Sequence, residues 1–151
     1  MKIYIIFIFF KMIIGLLGDT ELNKEFINYV VQEKKFLSYG MDDCVNIICE
    51  LLNVEKEKIR LVLEKNIDKD IFYNVLRKKM LQNKEKNIVI SGICQQRDID
   101  FLISFPKILF LKDIEFEETM KCTKPIYFIR MEADKHVFYQ KINDIIEKII
   151  F

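Results

Sequence analysis

A single α/β domain with a parallel sheet covered on both faces is predicted by three observations. Short apolar runs rich in β-branched residues recur along the chain. Segments of helical period separate them. Each run either closes on a glycine or opens after a proline, which fixes its ends.

The elements follow in order. Met12–Leu17 is an apolar run closed by Gly18 and reads as a buried strand. From Asn23 to Lys35, apolar residues at 26, 27, 30 and 31 alternate with charges at a helix period. Phe36–Tyr39, before Gly40, reads as a second short strand. Helical spacing returns with Cys44, Val45, Ile47, Ile48, Leu51 and Leu52, then with Ile59, Val62 and Leu63. A further helix starts near Asp68 or Asp70, either of which suits an N-cap, with Ile71, Phe72, Val75, Leu76 and Met80 on its apolar face. Gln82–Asn87 is a polar turn.

Ile88-Val89-Ile90-Ser91-Gly92 is the clearest buried strand. Arg97–Ser104 reads as a short helix, Lys107–Leu111 and Ile126–Ile129 as strands that each follow a proline. An amphipathic helix from Asp134 closes the chain, with Val137, Phe138, Ile142, Ile145, Ile146 and Ile149 inward. The alternation β-α-β-α-α-α-β-α-β-(α)-β-α places helices on both faces of the sheet. Residues 12–151 form the domain, and residues 1–11 are an apolar extension or an alternative start.

Composition narrows the function classes. Half the 151 residues are apolar (51%), 13% are aromatic and only two are proline, which excludes a disordered chain. A chain of this length buries roughly 68–70% of its unfolded surface. Twenty-four Lys and Arg against 23 Asp and Glu leave a net charge of +1, too little to draw in nucleic acid or an anionic membrane. Arginine, the usual bidentate clamp for phosphate, occurs only at 60, 77, 97 and 130.

The cysteines at 44, 49, 94 and 122 lack the C-x₂-C spacing of a zinc site, and His136 is the only histidine, so no metal site is expected. Buried free thiols fit better, and reduced thiols fit the cytoplasm. Lys2 and the apolar run Ile3–Phe10 have the opening of a signal peptide but no small-residue cleavage site follows. Lys11 interrupts the run short of the roughly 18 apolar residues of a membrane span. An upstream extension is the preferred reading, a signal peptide the other.

In parallel α/β folds, ligands bind beyond the carboxyl ends of the strands, so the loop after the first strand carries the functional argument. It reads Gly15-Leu16-Leu17-Gly18-Asp19-Thr20-Glu21-Leu22-Asn23-Lys24-Glu25. Against the phosphate-loop pattern G-x-x-x-x-G-K-[ST], the register from Gly18 keeps the first glycine, the loop length and Lys24. Asn23 replaces the second glycine, a tolerable change because Asn visits left-handed backbone. Glu25 replaces the hydroxyl that would bind Mg²⁺, and Asp19 and Glu21 bring further carboxylates. The candidate phosphate cradle is therefore Gly18, Asp19, Thr20, Asn23 and Lys24, competing with the plainer reading of a strand, a turn and a capped helix.

The stretch from Met12 through Asn23-Lys24-Glu25-Phe26 to Phe36-Leu37-Ser38-Tyr39 resembles the opening of the deoxynucleoside monophosphate kinases of phage and large viruses. Asn87-Ile-Val-Ile-Ser91-Gly92-Ile93-Cys94-Gln-Gln-Arg97-Asp98 is similar to that family's V-I-S-D-x-R strand and helix. Animal-type phosphomevalonate kinase has a similar segment and is the second choice. The resemblance spans residues 12–150. It implies a three-layer P-loop NTPase-like fold with a five-stranded, mostly parallel sheet. It also implies transfer of the γ-phosphoryl of ATP, with Mg²⁺, to a nucleoside monophosphate or other small phosphorylated acceptor.

The departures bear on mechanism. Gly92 stands where the family has an acidic residue, Cys94 where it has arginine, with Arg97 three residues on. The lid region, Asp113–Lys124, contains no arginine and holds Asp113, Glu115, Glu117 and Glu118. Lys24 and Arg97 are the candidate catalytic residues, Asp42 and Arg77 the candidate substrate contacts. Each has a plainer counterpart: a solvated helix-start lysine, a first-turn carboxylate, a surface ion pair. Phe72, Tyr73 and Phe101 read as core rather than a base-stacking site. Phosphoryl transfer is mostly positioning and charge neutralisation, so weak or absent catalysis is expected, with the fold kept as a binding or interaction module for a partner not yet identified.

Overall fold

The computed structural model describes residues 11–66, 70–116 and 120–150. Five strands, β1 (Ile13–Leu17), β2 (Leu37–Gly40), β3 (Ile88–Ile93), β4 (Ile108–Asp113) and β5 (Ile126–Ile129), form one sheet in the order β2-β3-β1-β4-β5. All four pairings are parallel. β1 is buried along its whole length, as its uninterrupted apolar sequence requires for a strand with helices on both faces.

Side-chain alternation divides the core in two. Ile13 and Leu17 point to the face that also holds Ile88, Ile90 and Phe110. That face is covered by α4 (Ile71–Gln82) and α5 (Gln96–Leu102) through Tyr73, Leu76, Met80, Ile99 and Leu102. Ile14 and Leu16 point the other way, with Val89, Leu109 and Leu111. Here α1 (Glu21–Lys34) and α6 (Lys135–Ile150) supply Leu22, Phe26, Val30, Phe138, Ile142 and Ile146. The three-layer architecture matches the expectation.

Two remaining helices, α2 (Asp43–Leu52) and α3 (Lys56–Asn66), pack on each other, and α2 also meets α4. Their helical spacing is as expected, but α3 buries no residue, and Leu51 and Leu52 are exposed. A helical period reports a stripe, not a partner to cover it. Val75 and Val137 are likewise exposed rather than inward, at the margins of the buried faces of α4 and α6. Asp70 precedes α4 without a side-chain cap bond. Asp68, Glu117, Glu118 and residues 1–10 lie outside the described residues, as do the side chains of Ile47 and Ile149.

The cysteines are free, but none is buried: Cys44, Cys49 and Cys122 are half-buried and Cys94 is exposed. Among the described residues, no group of three or more His, Cys, Asp or Glu could hold a metal ion. None of the described helices is long and apolar enough to cross a membrane.

Candidate functional site

The carboxyl ends of β1, β2 and β3 open on one cleft of about 260 Å³. Gly18 and Asp19 border it after β1, Gly40 to Asp43 after β2, and Ser91 and Gly92 at the end of β3; Asn23 and Lys24 enter from α1. This is where a parallel sheet places its ligands.

A β-bulge shapes the floor. Gly15 pairs with Ile90 but Leu17 with Ile93, so β3 carries one extra residue opposite Leu16. Gly92 takes up that residue with φ +75°, a conformation other residues rarely adopt. The glycine standing where the resembled family has an acidic residue thus answers a backbone demand. A Cβ there would meet nothing closer than the Met41 nitrogen at 3.8 Å.

The loop after β1 is shorter than the phosphate-loop register requires. Thr20 is the N-cap of α1, its hydroxyl accepting from the Asn23 N–H at 3.2 Å, and the Lys24 N–H donates to the Thr20 carbonyl. The helix therefore begins at Glu21, two residues before the expected Asn23. The turn is reduced to Gly18, Asp19 and Thr20. A conventional N-cap outcompetes the extended cradle, because Thr at N-cap stabilises a helix start by about 1 kcal/mol.

Asn23 then fills the space inside the turn. It is 3% exposed, and its amide Nδ2 donates to the carbonyls of Leu17 and Gly18, each at 3.1 Å. Its Oδ1 is buried without a hydrogen-bond partner. Gly18, at φ +83°, donates its N–H to the Ile93 carbonyl, and the Phe116 ring lies over its Cα: a Cβ there would come within 2.7 Å of the ring. Phosphate cradles work by aiming successive backbone N–H groups at the ligand. Here Asn23 donates into the turn, so the inner lining shows carbonyls already engaged, and an aromatic ring covers the glycine.

Lys24 borders the cleft, but its ammonium bonds Glu21 at 3.1 Å in a largely exposed pair. That hydrogen bond and the Glu21 and Asp19 charges raise its pKa. Glu25, standing where a phosphate loop has a hydroxyl, pairs with Lys135 of α6 at 3.8 Å rather than lining the cleft. The cleft lining thus holds the carboxylates of Asp19, Asp42 and Asp43 and the Lys24 ammonium, and Asp42 is further paired with Lys56 and Arg60. Two like charges 4 Å apart repel by about 4 kcal/mol at an effective dielectric of about 20.

The other expected site residues are dispersed. Asp42 borders the cleft yet is held by Lys56 at 2.5 Å and Arg60 at 3.4 Å. Arg97 stands outside the cleft lining, 3.5 Å from Glu64, with its guanidinium 5.1 Å from the Tyr73 ring centre. Arg77 lies over Phe101 at 5.2 Å and is also apart from the cleft. Phe72, Tyr73 and Phe101 are buried core residues, as expected.

Sequence reasoning missed Asp98, which is 1% exposed. Its Oδ1 accepts from the Tyr73 hydroxyl at 2.7 Å, and its Oδ2 from the Cys94 and Gln95 N–H groups at 3.2 and 3.3 Å. Gln95 and Asp98 make a reciprocal capping box at the start of α5, a pattern legible as a polar N-cap with an acid three residues on. Burial, and then the Asp98 carboxylate, pushes the Tyr73 phenol above its usual range, so it remains a donor at neutral pH. Desolvation and the charges of Asp98 and Asp42 push the Cys94 thiol up, which disfavours a nucleophilic thiolate.

A five-stranded parallel sheet in the order 2-3-1-4-5, with a strand, glycine turn and helix at its central strand, defines a P-loop kinase-like protein. No protein-family model matches the sequence. It is 30% identical over 155 residues to the dephospho-CoA kinase of Fusobacterium nucleatum subsp. nucleatum, a match covering 92% of this chain and 79% of that protein. The chain belongs to the dephospho-CoA kinase family.

Proposed function

We propose that this family member is kept for binding rather than for phosphoryl transfer. It serves as a binding or interaction module and does not turn over ATP. The observation that carries the reading is the Asn23 amide, which bonds the Leu17 and Gly18 carbonyls in the space a phosphate would need. Transfer depends on donors and cations arranged around the γ-phosphoryl group, and each lost donor costs about 3–4 kcal/mol of barrier. Lys24 and Arg97, the catalytic candidates, are each paired with a glutamate. In this reading the protein needs neither ATP nor Mg²⁺, and it works in the cytoplasm.

A second reading, weak ATP-dependent transfer assisted by Mg²⁺, is favoured by the position of Lys24 on the cleft wall. In it, Gly18, Asp19, Thr20 and Asn23 would face the nucleotide, with Asp42 and Arg77 toward the acceptor. Labelled ATP with Mg²⁺ and a panel of acceptors separates the two. Dephospho-CoA enters the panel from the family, and deoxynucleoside monophosphates and phosphomevalonate from the sequence resemblance. The binding reading predicts no labelled product above the protein-free control, for wild type and Lys24→Ala alike. Product formation that Lys24→Ala abolishes would establish the second reading instead.

A further inference from the structure

A chain of ion pairs runs from the cleft wall across the helical side of the molecule. Lys56 and Arg60 of α3 hold Asp42. Arg60 also bonds Glu64, its Nε 3.1 Å from Oε1, while Arg97 of α5 approaches the other oxygen, Oε2, at 3.5 Å. One carboxylate is thus gripped by two guanidiniums from separate elements. Consecutive aromatics of α4 back both: the Arg60 guanidinium lies 5.7 Å from the Phe72 ring centre and that of Arg97 5.1 Å from Tyr73. Tyr73 is in turn fixed by Asp98. The two donors are therefore oriented from below by a buried floor, whatever occupies the space between them.

Two oriented guanidiniums around one anion form the arrangement that selects phosphate, since their planar forks match its oxygens. We propose that Arg60 and Arg97 form a seat for a phosphate dianion, and that Glu64 is its internal competitor, occupying the seat until a phosphate displaces it. Glu64 and Arg60 belong to one helix, four residues apart, so the carboxylate is an intramolecular ligand at high effective concentration. A dianion offers more charge and more acceptor oxygens than one carboxylate. The seat uses no residue of the loop after β1 and stands whether or not a nucleotide binds there.

The test is titration with inorganic phosphate at constant ionic strength, followed by thermal unfolding. Glu64→Gln removes the competing charge and should bind phosphate about tenfold more tightly than wild type, a difference of about 1.4 kcal/mol. Adding Arg97→Gln to that variant should abolish the gain. Equal affinity in wild type and Glu64→Gln would overturn the proposal, as would undiminished binding in the double variant. Should Glu64→Gln fail to fold, the arginine Nε–H signals of the wild type decide by nuclear magnetic resonance. Those of Arg60 and Arg97 should shift with phosphate, and their standing still would overturn the seat. A parallel arm with methyl phosphate separates the two sources of the dianion: a monoester ligand predicts that it binds at least as tightly, a free-phosphate ligand that it binds more weakly.

Discussion

Asp98→Ala is expected to destabilise the protein by about 3–4 kcal/mol, because leaving a buried hydrogen-bonding group unsatisfied costs about 1–3 kcal/mol and this carboxylate serves three. Its oxygens accept from the Tyr73 hydroxyl and from the Cys94 and Gln95 N–H groups. Tyr73 belongs to the core formed by β3, α4 and α5, and the Cys94 and Gln95 bonds are part-buried at its edge. The carboxylate also links the start of α5 to the first turn of α4, since Tyr73 and Asp98 are 25 residues apart. Urea unfolding of wild type, Asp98→Ala and Asp98→Asn measures the effect. Asn keeps an acceptor and should lose about half as much as Ala. Tyr73→Phe should cost less than Asp98→Ala, since it removes one of the three bonds. A loss under about 1 kcal/mol for Asp98→Ala would mean that water replaces the carboxylate without penalty.

Gly18→Ala should cost about 3 kcal/mol, from two separable sources. A non-glycine residue at φ +83° pays about 1–2 kcal/mol for the left-handed backbone. The added methyl must also displace the Phe116 ring, which would lie 2.7 Å away, an overpacking cost of about 1–3 kcal/mol. A double-mutant cycle distinguishes them. In a Phe116→Ala background, Gly18→Ala should cost only the backbone share. Equal costs in both backgrounds would show that the ring does not rest on this glycine in solution, and one of the two groups closing the turn would be removed from the account.

The strands were legible because the sequence states them twice, in short apolar runs and in the glycine or proline that marks one end of each. Both faces of β1 are buried, and its sequence shows this by having no polar residue to alternate with. The helices α2 and α3 were legible as helices but not as exposed ones. A periodic stripe of Leu51, Leu52 and Val62 looks the same whether or not something covers it.

The site was legible in place and misleading in detail. The glycine turn after β1 does border a cleft, along with Asp42 after β2 and Gly92 in β3. The helical period of Phe26, Ile27, Val30 and Val31 set the helix start at Asn23, too late, although Thr20 stands as an N-cap three residues before Asn23. The ion-pair chain was invisible for a different reason. Glu64 and Arg97 are 33 residues apart, and single-sequence periodicity carries no information on which distant charges meet.

Closure of the turn after β1 by Asn23 and Phe116 is tested by calorimetric titration of the wild-type protein with magnesium ATP. No binding heat is expected up to millimolar nucleotide, and the unfolding temperature should be unchanged in the same mixture. Saturable binding would contradict it: at a hundredfold excess over Kd, ATP would add about 2.7 kcal/mol of stability, and the turn would have to open to admit it.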